Sequence, residues 1–145
     1  MAKFVYKFET VKHVKKTIEK KVQKEISQID KEINKLLSML SKLEYEKSEN
    51  RSEMLKKGNL KISELRFYSN FESYLEQQIK RINEKILKFE SLKMKKREEL
   101  QQKSKETKIF EKLEEKHLEL YNAAQNKLEQ IEIDDIATKK YIRGN

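Results

Sequence analysis

Lys57-Gly58-Asn59 is the stretch that decides the fold of this 145-residue chain. Gly58 is the only glycine before the penultimate residue, and the chain contains no proline. Glycine adopts the left-handed backbone that ends a helix without steric cost, and asparagine tolerates it next best. The sequence on either side consists of uninterrupted helix-forming residues, so this single break predicts one reversal of chain direction.

The composition favours long helices over a compact globule. Charged residues make up 41% of the chain and hydrophobic residues 36%, a balance typical of coiled coils. Disorder is the competing interpretation because charge is high and aromatic residues are few. The regular spacing of the apolar residues argues against disorder. The absence of cysteine excludes disulfides and thiolate metal sites, and it fits a reducing compartment.

Apolar residues in both halves of the chain are spaced as in a coiled-coil seam, with alternating steps of three and four residues. In the first half these residues are Ile26, Ile29, Ile33, Leu36, Leu40 and Leu43. In the second half they are Leu75, Ile79, Ile82, Ile86 and Phe89. If the chain folds back at Asn59, residues equally far from it face each other. Leu36 then meets Ile82, and Phe8 meets Phe110.

We therefore predict an all-α fold in which two long helices form an antiparallel coiled-coil hairpin and the second helix overhangs the first. Phe4 is expected to face Leu113 and Glu114, which leaves the residues after about 115 without a partner helix. The predicted bounds are a single coiled-coil domain of residues 1–145, helix 1 at about 3–57, a turn at 58–60 and helix 2 at about 61–141.

Two surfaces of this hairpin are expected to be poorly covered. Near the turn, Lys47 and Asn50 face a cluster of aromatic residues, namely Phe67, Tyr68, Phe71 and Tyr74. The overhang carries an apolar line of His117, Leu120, Ala124, Leu128 and Ile131. Uncovered apolar patches rimmed by charge mark binding sites for partners. Alternatively, the aromatic cluster is simply the hydrophobic core of the hairpin near its turn, and this alternative stays open at this point.

The residues indicate no catalytic, cofactor-binding or metal site. His13 and His117 lie on different helices and are not opposite each other in the expected register. Adjacent carboxylates such as Asp134-Asp135 point about 100° apart on a helix and do not converge on one atom. A two-helix rod also lacks a concave pocket that excludes water. We therefore expect neither an enzyme nor a bound cofactor.

Charge and hydropathy limit the other partners. The net charge is +9, but the basic residues are interleaved with Glu, which favours a solvated helix surface over a nucleic-acid-binding face. No run of about 18 apolar residues exists. The start, Met1-Ala2-Lys3-Phe4, lacks the apolar block of a signal peptide. We expect a cytoplasmic protein that binds no nucleic acid and does not insert into the membrane.

Three stretches of the sequence carry motifs that can be compared with those of known families. The first is the opening KFVYKFETV of residues 3–11, and the second is the aromatic FYSNFESYL of residues 67–75. The clearest stretch is near the end and consists of FEKLEEK at residues 110–116, then Tyr121, EQ at residues 129–130 and DDIA at residues 134–137. These stretches resemble flagellar FliJ proteins, although that family usually has Asp-Glu where this chain has two aspartates. The resemblance covers essentially the whole chain.

The resemblance implies a cytoplasmic component of the flagellar type III export apparatus, associated peripherally with its membrane-embedded part. The fold of the family is an antiparallel two-helix coiled coil, similar to that in the γ subunit of rotary ATP synthases. Its implied role is a stalk that promotes assembly of the hexameric export ATPase (FliI-like) and links it to the export gate protein (FlhA-like). Contacts with export chaperones are also implied.

The resemblance also suggests which residues bind these partners. By position, the gate-binding surface falls on Phe71, Leu75, Gln78 and Ile82, and the aromatic cluster adds Tyr68 and Tyr74. The ATPase-facing end would comprise Phe4, Phe8, Phe110, Leu113, His117, Leu120 and Leu128. The alternatives are a generic coiled-coil scaffold, the stalk of a virulence-type secretion system, or a basic helical protein associated with nucleic acid. The turn itself need not bind a partner in the stalk interpretation.

Overall fold

The computed structural model describes residues 3–144, and it contains two helices that pack against each other as a hairpin. Helix α1 spans Glu9–Lys57 and helix α2 spans Ile62–Arg143. No strand occurs within the described range. The predicted all-α helical hairpin is therefore confirmed. None of the described helices combines the length and the apolarity that a membrane crossing requires.

The reversal occurs where the sequence predicts it. Gly58 has a φ of 68° and is the only residue between 3 and 144 with a left-handed backbone. The N–H of Asn59 donates to the carbonyl of Lys57 at 2.7 Å, which closes the turn. A Cβ on Gly58 would meet no atom within 4 Å, so the need for glycine comes from backbone conformation alone.

Packing divides the chain into two units, to each of which both helices contribute. The turn unit comprises Lys21–Leu100, and the terminal unit comprises residues 3–20 and 101–144 as far as they are described. That the chain forms one domain stays a prediction. In the turn unit, the core is a cluster of Leu36, Ile82 and Ile86, against which Leu40, Leu43 and Phe89 pack. Leu36 and Ile82 thus share the cluster, as the register predicts.

Polar contacts on the flanks of the seam fix the register of the turn unit. Lys96 donates to Glu25 at 2.7 Å, and Arg51 contacts Glu72 at 2.6 Å. Within the seam, the buried amide of Asn50 donates to a backbone carbonyl of α2 at 3.0 Å. A polar seam residue is satisfied in one register only, so it specifies the pairing of the helices.

In the terminal unit, α1 begins at Glu9 and not near residue 3 as predicted. Residues 3–8 are non-helical. An extended residue advances about 3.3 Å along the chain, whereas a helical residue advances about 1.5 Å. Phe4 therefore reaches Tyr121, with ring centroids 5.5 Å apart, instead of Leu113 and Glu114. The overhang is correspondingly shorter than expected, and its side chains are all exposed over residues 126–144.

Candidate partner-binding surfaces

Two aromatic rings just beyond the turn are exposed on the flank of α2. The rings of Phe71 and Tyr74 lie 6.4 Å apart with an interplanar angle of 19°, so they stack on each other. Phe71 is 37% exposed and Tyr74 is 55% exposed. Such a ring contact favours one relative orientation of the two side chains. We call this pair the stacked aromatic pair.

The remaining candidates for the gate-binding surface lie in or beside the seam. Leu75 is only 1% exposed, and Tyr68 and Ile82 are also buried. Gln78 is half-buried. The expectation that all the rings of the aromatic cluster are poorly covered is therefore wrong for Tyr68. Of the six candidate positions, the structure exposes the stacked aromatic pair and partly exposes Gln78.

Tyr68 is buried, and α1 makes two polar contacts with it. The Asn50 amide donates to its backbone carbonyl, and the ammonium of Lys57 lies 5.5 Å from its ring centroid. A hydrogen bond with the Tyr68 side chain is the main cause that raises the pKa of Lys57. Asn50, predicted to face poorly covered rings, is thus itself buried and bonded to the backbone of Tyr68.

Several candidate residues at the other end belong to a second group of rings, which we call the terminal aromatic cluster. It consists of Tyr6, Phe8, Phe110 and His117. Phe8 contacts Phe110 at 6.1 Å between ring centroids and His117 at 6.2 Å. The hydroxyl of Tyr6 donates to the carbonyl of Phe110 at 2.7 Å, and its ring lies 5.7 Å from His117. The predicted pairing of Phe8 with Phe110 is confirmed. His117 is half-buried and contacts this cluster, whereas the sequence placed it on the exposed apolar line.

Ion pairs join α1 to α2 beside the terminal aromatic cluster. Lys12 donates to Glu114 at 2.5 Å and also pairs with Glu9 at 3.2 Å. The hydrogen bond with Glu114 is the main cause that raises the pKa of Lys12. Lys15 donates to Glu106 at 3.0 Å, and this bond lowers the pKa of the Glu106 carboxyl. Cations of α1 are thus neutralised in part by carboxylates of α2.

Only part of the predicted ATPase-facing set is available to a partner. Leu120 and Leu128 are exposed and Leu113 is half-buried. The overhang carries two apolar faces instead of one. Leu128 and Ile131 lie on the predicted line, but Ile133 and Ile136 are also exposed. Since residues five apart point about 140° away from each other on a helix, Ile133 lies on a different face from Leu128.

The described residues offer no arrangement suited to a metal ion. Within residues 3–144, no group of three or more His, Cys, Asp or Glu side chains is close enough to hold one. His13 is exposed on α1, and His117 belongs to the terminal aromatic cluster.

Sequence reasoning missed Tyr6, which is buried and links the N-terminal segment to α2. The signal was present: Phe4, Tyr6 and Phe8 alternate with Val5 and Lys7. Alternation with a period of two indicates an extended segment with one buried face. Phe4 and Phe8 alone are four residues apart, so their spacing also fits one face of a helix. The aromatic residue between them distinguishes the two interpretations.

The fold and these surfaces define an α-helical hairpin protein of the coiled-coil class whose exposed apolar groups lie on its flanks and at its ends. Residues 4–145 match the protein family described as flagellar FliJ protein. The chain therefore belongs to the FliJ family and is a component of the flagellar protein export apparatus. Comparisons with curated proteins and with solved structures find no match.

Proposed function

We propose that this protein is a cytoplasmic stalk that links the hexameric export ATPase to the cytoplasmic domain of the export gate protein. In this role the terminal unit faces the ATPase (FliI-like) and promotes assembly of its ring. The turn unit carries the surface for the gate protein (FlhA-like). The exposed helical flanks also offer a surface for export chaperones. Membership of the FliJ family and the exposure of apolar groups in both units support this proposal.

The stacked aromatic pair is the observation that carries the gate-binding part of the proposal. Aromatic side chains dominate the energetics of interfaces, and burying one stabilises a complex by about 1.5–3 kcal/mol. Because Phe71 and Tyr74 already stack on each other, little side-chain entropy is lost when a partner covers them. An exposed, pre-ordered pair is what a small binding hot spot requires.

The neighbouring contacts hold the backbone beneath this pair. Leu75 follows Tyr74 directly and is buried in the seam, and Glu72, the residue after Phe71, pairs with Arg51 of α1. The rings therefore project beside the seam, from a segment of α2 that is anchored to α1. A change of the two rings can be made without removing this anchorage.

The test is binding of the gate protein's cytoplasmic domain to the variant Phe71→Ala with Tyr74→Ala. We expect affinity to fall at least about ten-fold, because two aromatic contacts are lost. The matched control is Tyr45→Ala with Leu87→Ala, which removes exposed side chains elsewhere in the turn unit. Helicity should be unchanged in both variants. Unaltered affinity of the Phe71/Tyr74 variant, or an equal loss in the control, would exclude the stacked aromatic pair as the gate-binding surface.

A further inference from the structure

A group of exposed apolar side chains surrounds the turn and has no role in the proposed stalk. Leu55 lies in the last turn of α1, and Ile62, Leu65 and Phe67 lie in the first two turns of α2. All four are exposed. They are separate from the stacked aromatic pair, which begins one turn further along α2. We call these four residues the tip patch.

Cations are interspersed with the tip patch. Lys56, Lys57, Lys61 and Arg66 are all exposed, and the acidic residues of the same stretch are Glu53 and Glu64. Within residues 3–144, no ion pair engages Lys56, Lys61 or Arg66, whereas many cations of the helical flanks pair with carboxylates. The tip therefore presents apolar groups and uncompensated positive charge together.

The directions of the side chains indicate what kind of surface could cover them. Leu65 and Phe67 are two residues apart on α2, so they point about 160° away from each other. A groove on a folded protein covers one side of a helix and would leave one of these side chains in water. A fluid interface can close around a convex tip and cover both. Apolar groups mixed with Lys and Arg are also the composition of interfacial membrane-binding segments.

We propose that the tip patch binds the headgroup region of a bilayer that contains anionic lipid. Leu55, Ile62, Leu65 and Phe67 enter the boundary between headgroups and acyl chains, and the cations around them bind lipid phosphates. The contact is shallow and does not span the bilayer. Binding therefore needs both parts, since the apolar area is small and attraction to anionic lipid adds to it. This contact is independent of the gate-binding surface in the proposed function.

The absence of tryptophan from the chain allows the contact to be located directly. Phe67→Trp places a single indole in the tip patch, and Tyr45→Trp places one on α1 at a distance from the turn. The two positions are matched in exposure, at 67% and 66%. With phosphatidylglycerol/phosphatidylcholine vesicles, we expect a blue shift of the indole emission at position 67 and none at position 45. Equal shifts at both positions, or none at position 67, would overturn the proposal.

Co-sedimentation of the full chain with the same vesicles tests the two parts of the patch. We expect Leu55→Gln with Ile62→Gln to weaken binding at least about ten-fold. Lys56→Gln with Lys61→Gln should weaken it about five-fold for each cation removed. The control for the apolar part is Leu87→Gln, and the control for the cations is Lys80→Gln with Lys88→Gln. These residues are exposed on α2 away from the turn, so both control variants should bind as the wild type does.

The remaining outcomes separate a bilayer from an acidic protein. Binding should be lost on vesicles of phosphatidylcholine alone and should weaken as salt is raised. If the wild-type chain binds polyglutamate but not the anionic vesicles, the tip recognises an acidic polypeptide and the lipid assignment is wrong. The lipid assignment would also be refuted if the Leu87 and Lys80/Lys88 control variants lost binding to the same extent as the tip-patch variants.

Discussion

Leu75 is the residue on which the packing of the turn unit depends most. It is 1% exposed and is the only side chain among the described residues that is almost completely covered. Truncation of a buried leucine removes its transfer free energy and leaves a cavity, at a cost of about 2–5 kcal/mol. We therefore expect Leu75→Ala to lower the free energy of unfolding by this amount, as measured by denaturant titration of helicity.

Phe71→Ala is the matched comparison for Leu75, because its side chain lies one turn away and is exposed to solvent. Substitutions at exposed positions usually change the free energy of unfolding by less than about 0.5 kcal/mol. Equal destabilisation by the two variants would contradict the burial of Leu75 and the exposure of Phe71. The comparison also explains why Leu75 is unsuitable for testing partner binding, since its loss would disturb the hairpin beneath the stacked aromatic pair.

Individual residues differ in how far their environment could be predicted. Gly58 was assigned correctly because a left-handed backbone is a local property of one residue. The register correctly predicts that Asn50 lies opposite Tyr68, but the sequence could not show that its amide would donate to the backbone carbonyl of Tyr68. Such hydrogen bonds depend on side-chain rotamers, which residue spacing does not specify.

At the scale of elements, the heptad pattern predicted the pairing of α1 with α2 because a strict seam allows few registers. It did not predict the N-terminal segment, residues 3–8. There, tertiary contacts of Tyr6 with Phe110 and His117 override the helical preference of the neighbouring sequence. The spacing of Phe4 and Phe8 fits a helix, so the choice depends on contacts with α2, which lie far away along the chain.

Ion pairs between the helices make the hairpin sensitive to acid. A hydrogen bond from Lys96 is the main cause that lowers the pKa of Glu25. A lowered folded-state pKa stabilises the fold above the ordinary carboxyl pKa, and this contribution is lost as pH falls through the folded-state value. We expect Glu25→Gln to narrow the difference in melting temperature between neutral and acidic pH. The effect is small, because exposed pairs are screened by solvent.

Glu98→Gln is the control for this titration, since Glu98 is exposed and forms no ion pair within the described residues. It should leave the pH dependence of the melting temperature close to that of the wild type. The difference between the two variants should shrink at high salt. An identical pH profile for Glu25→Gln and the wild type at low salt would contradict the assignment of this pair.

For the whole molecule, the two units present different kinds of surface. The turn unit has a compact seam with a few exposed rings, and these rings are held in place by buried neighbours. The terminal unit ends in a single helix whose side chains are exposed over residues 126–144. Exposed apolar residues lie on two faces of this helix, so a partner can cover either face or both.

The proposed ATPase-facing role of the terminal unit can be tested by comparing its apolar faces. Leu120→Ser with Leu128→Ser removes two exposed residues of the predicted apolar line, and Ile133→Ser with Ile136→Ser removes two from the other face. If the ATPase contacts chiefly the predicted line, the first variant should raise the concentration needed for half-maximal ATPase stimulation at least about ten-fold. The second should change it less.

Both variants should keep the helicity and melting temperature of the wild type, because the replaced side chains are exposed. Equal losses in the two variants would mean that the ATPase surrounds the helix and uses both faces. Unchanged stimulation in both would exclude the overhang as the ATPase-binding element. In that case the terminal aromatic cluster would be the next candidate, although its rings are already occupied with one another and leave less area for a partner to bury.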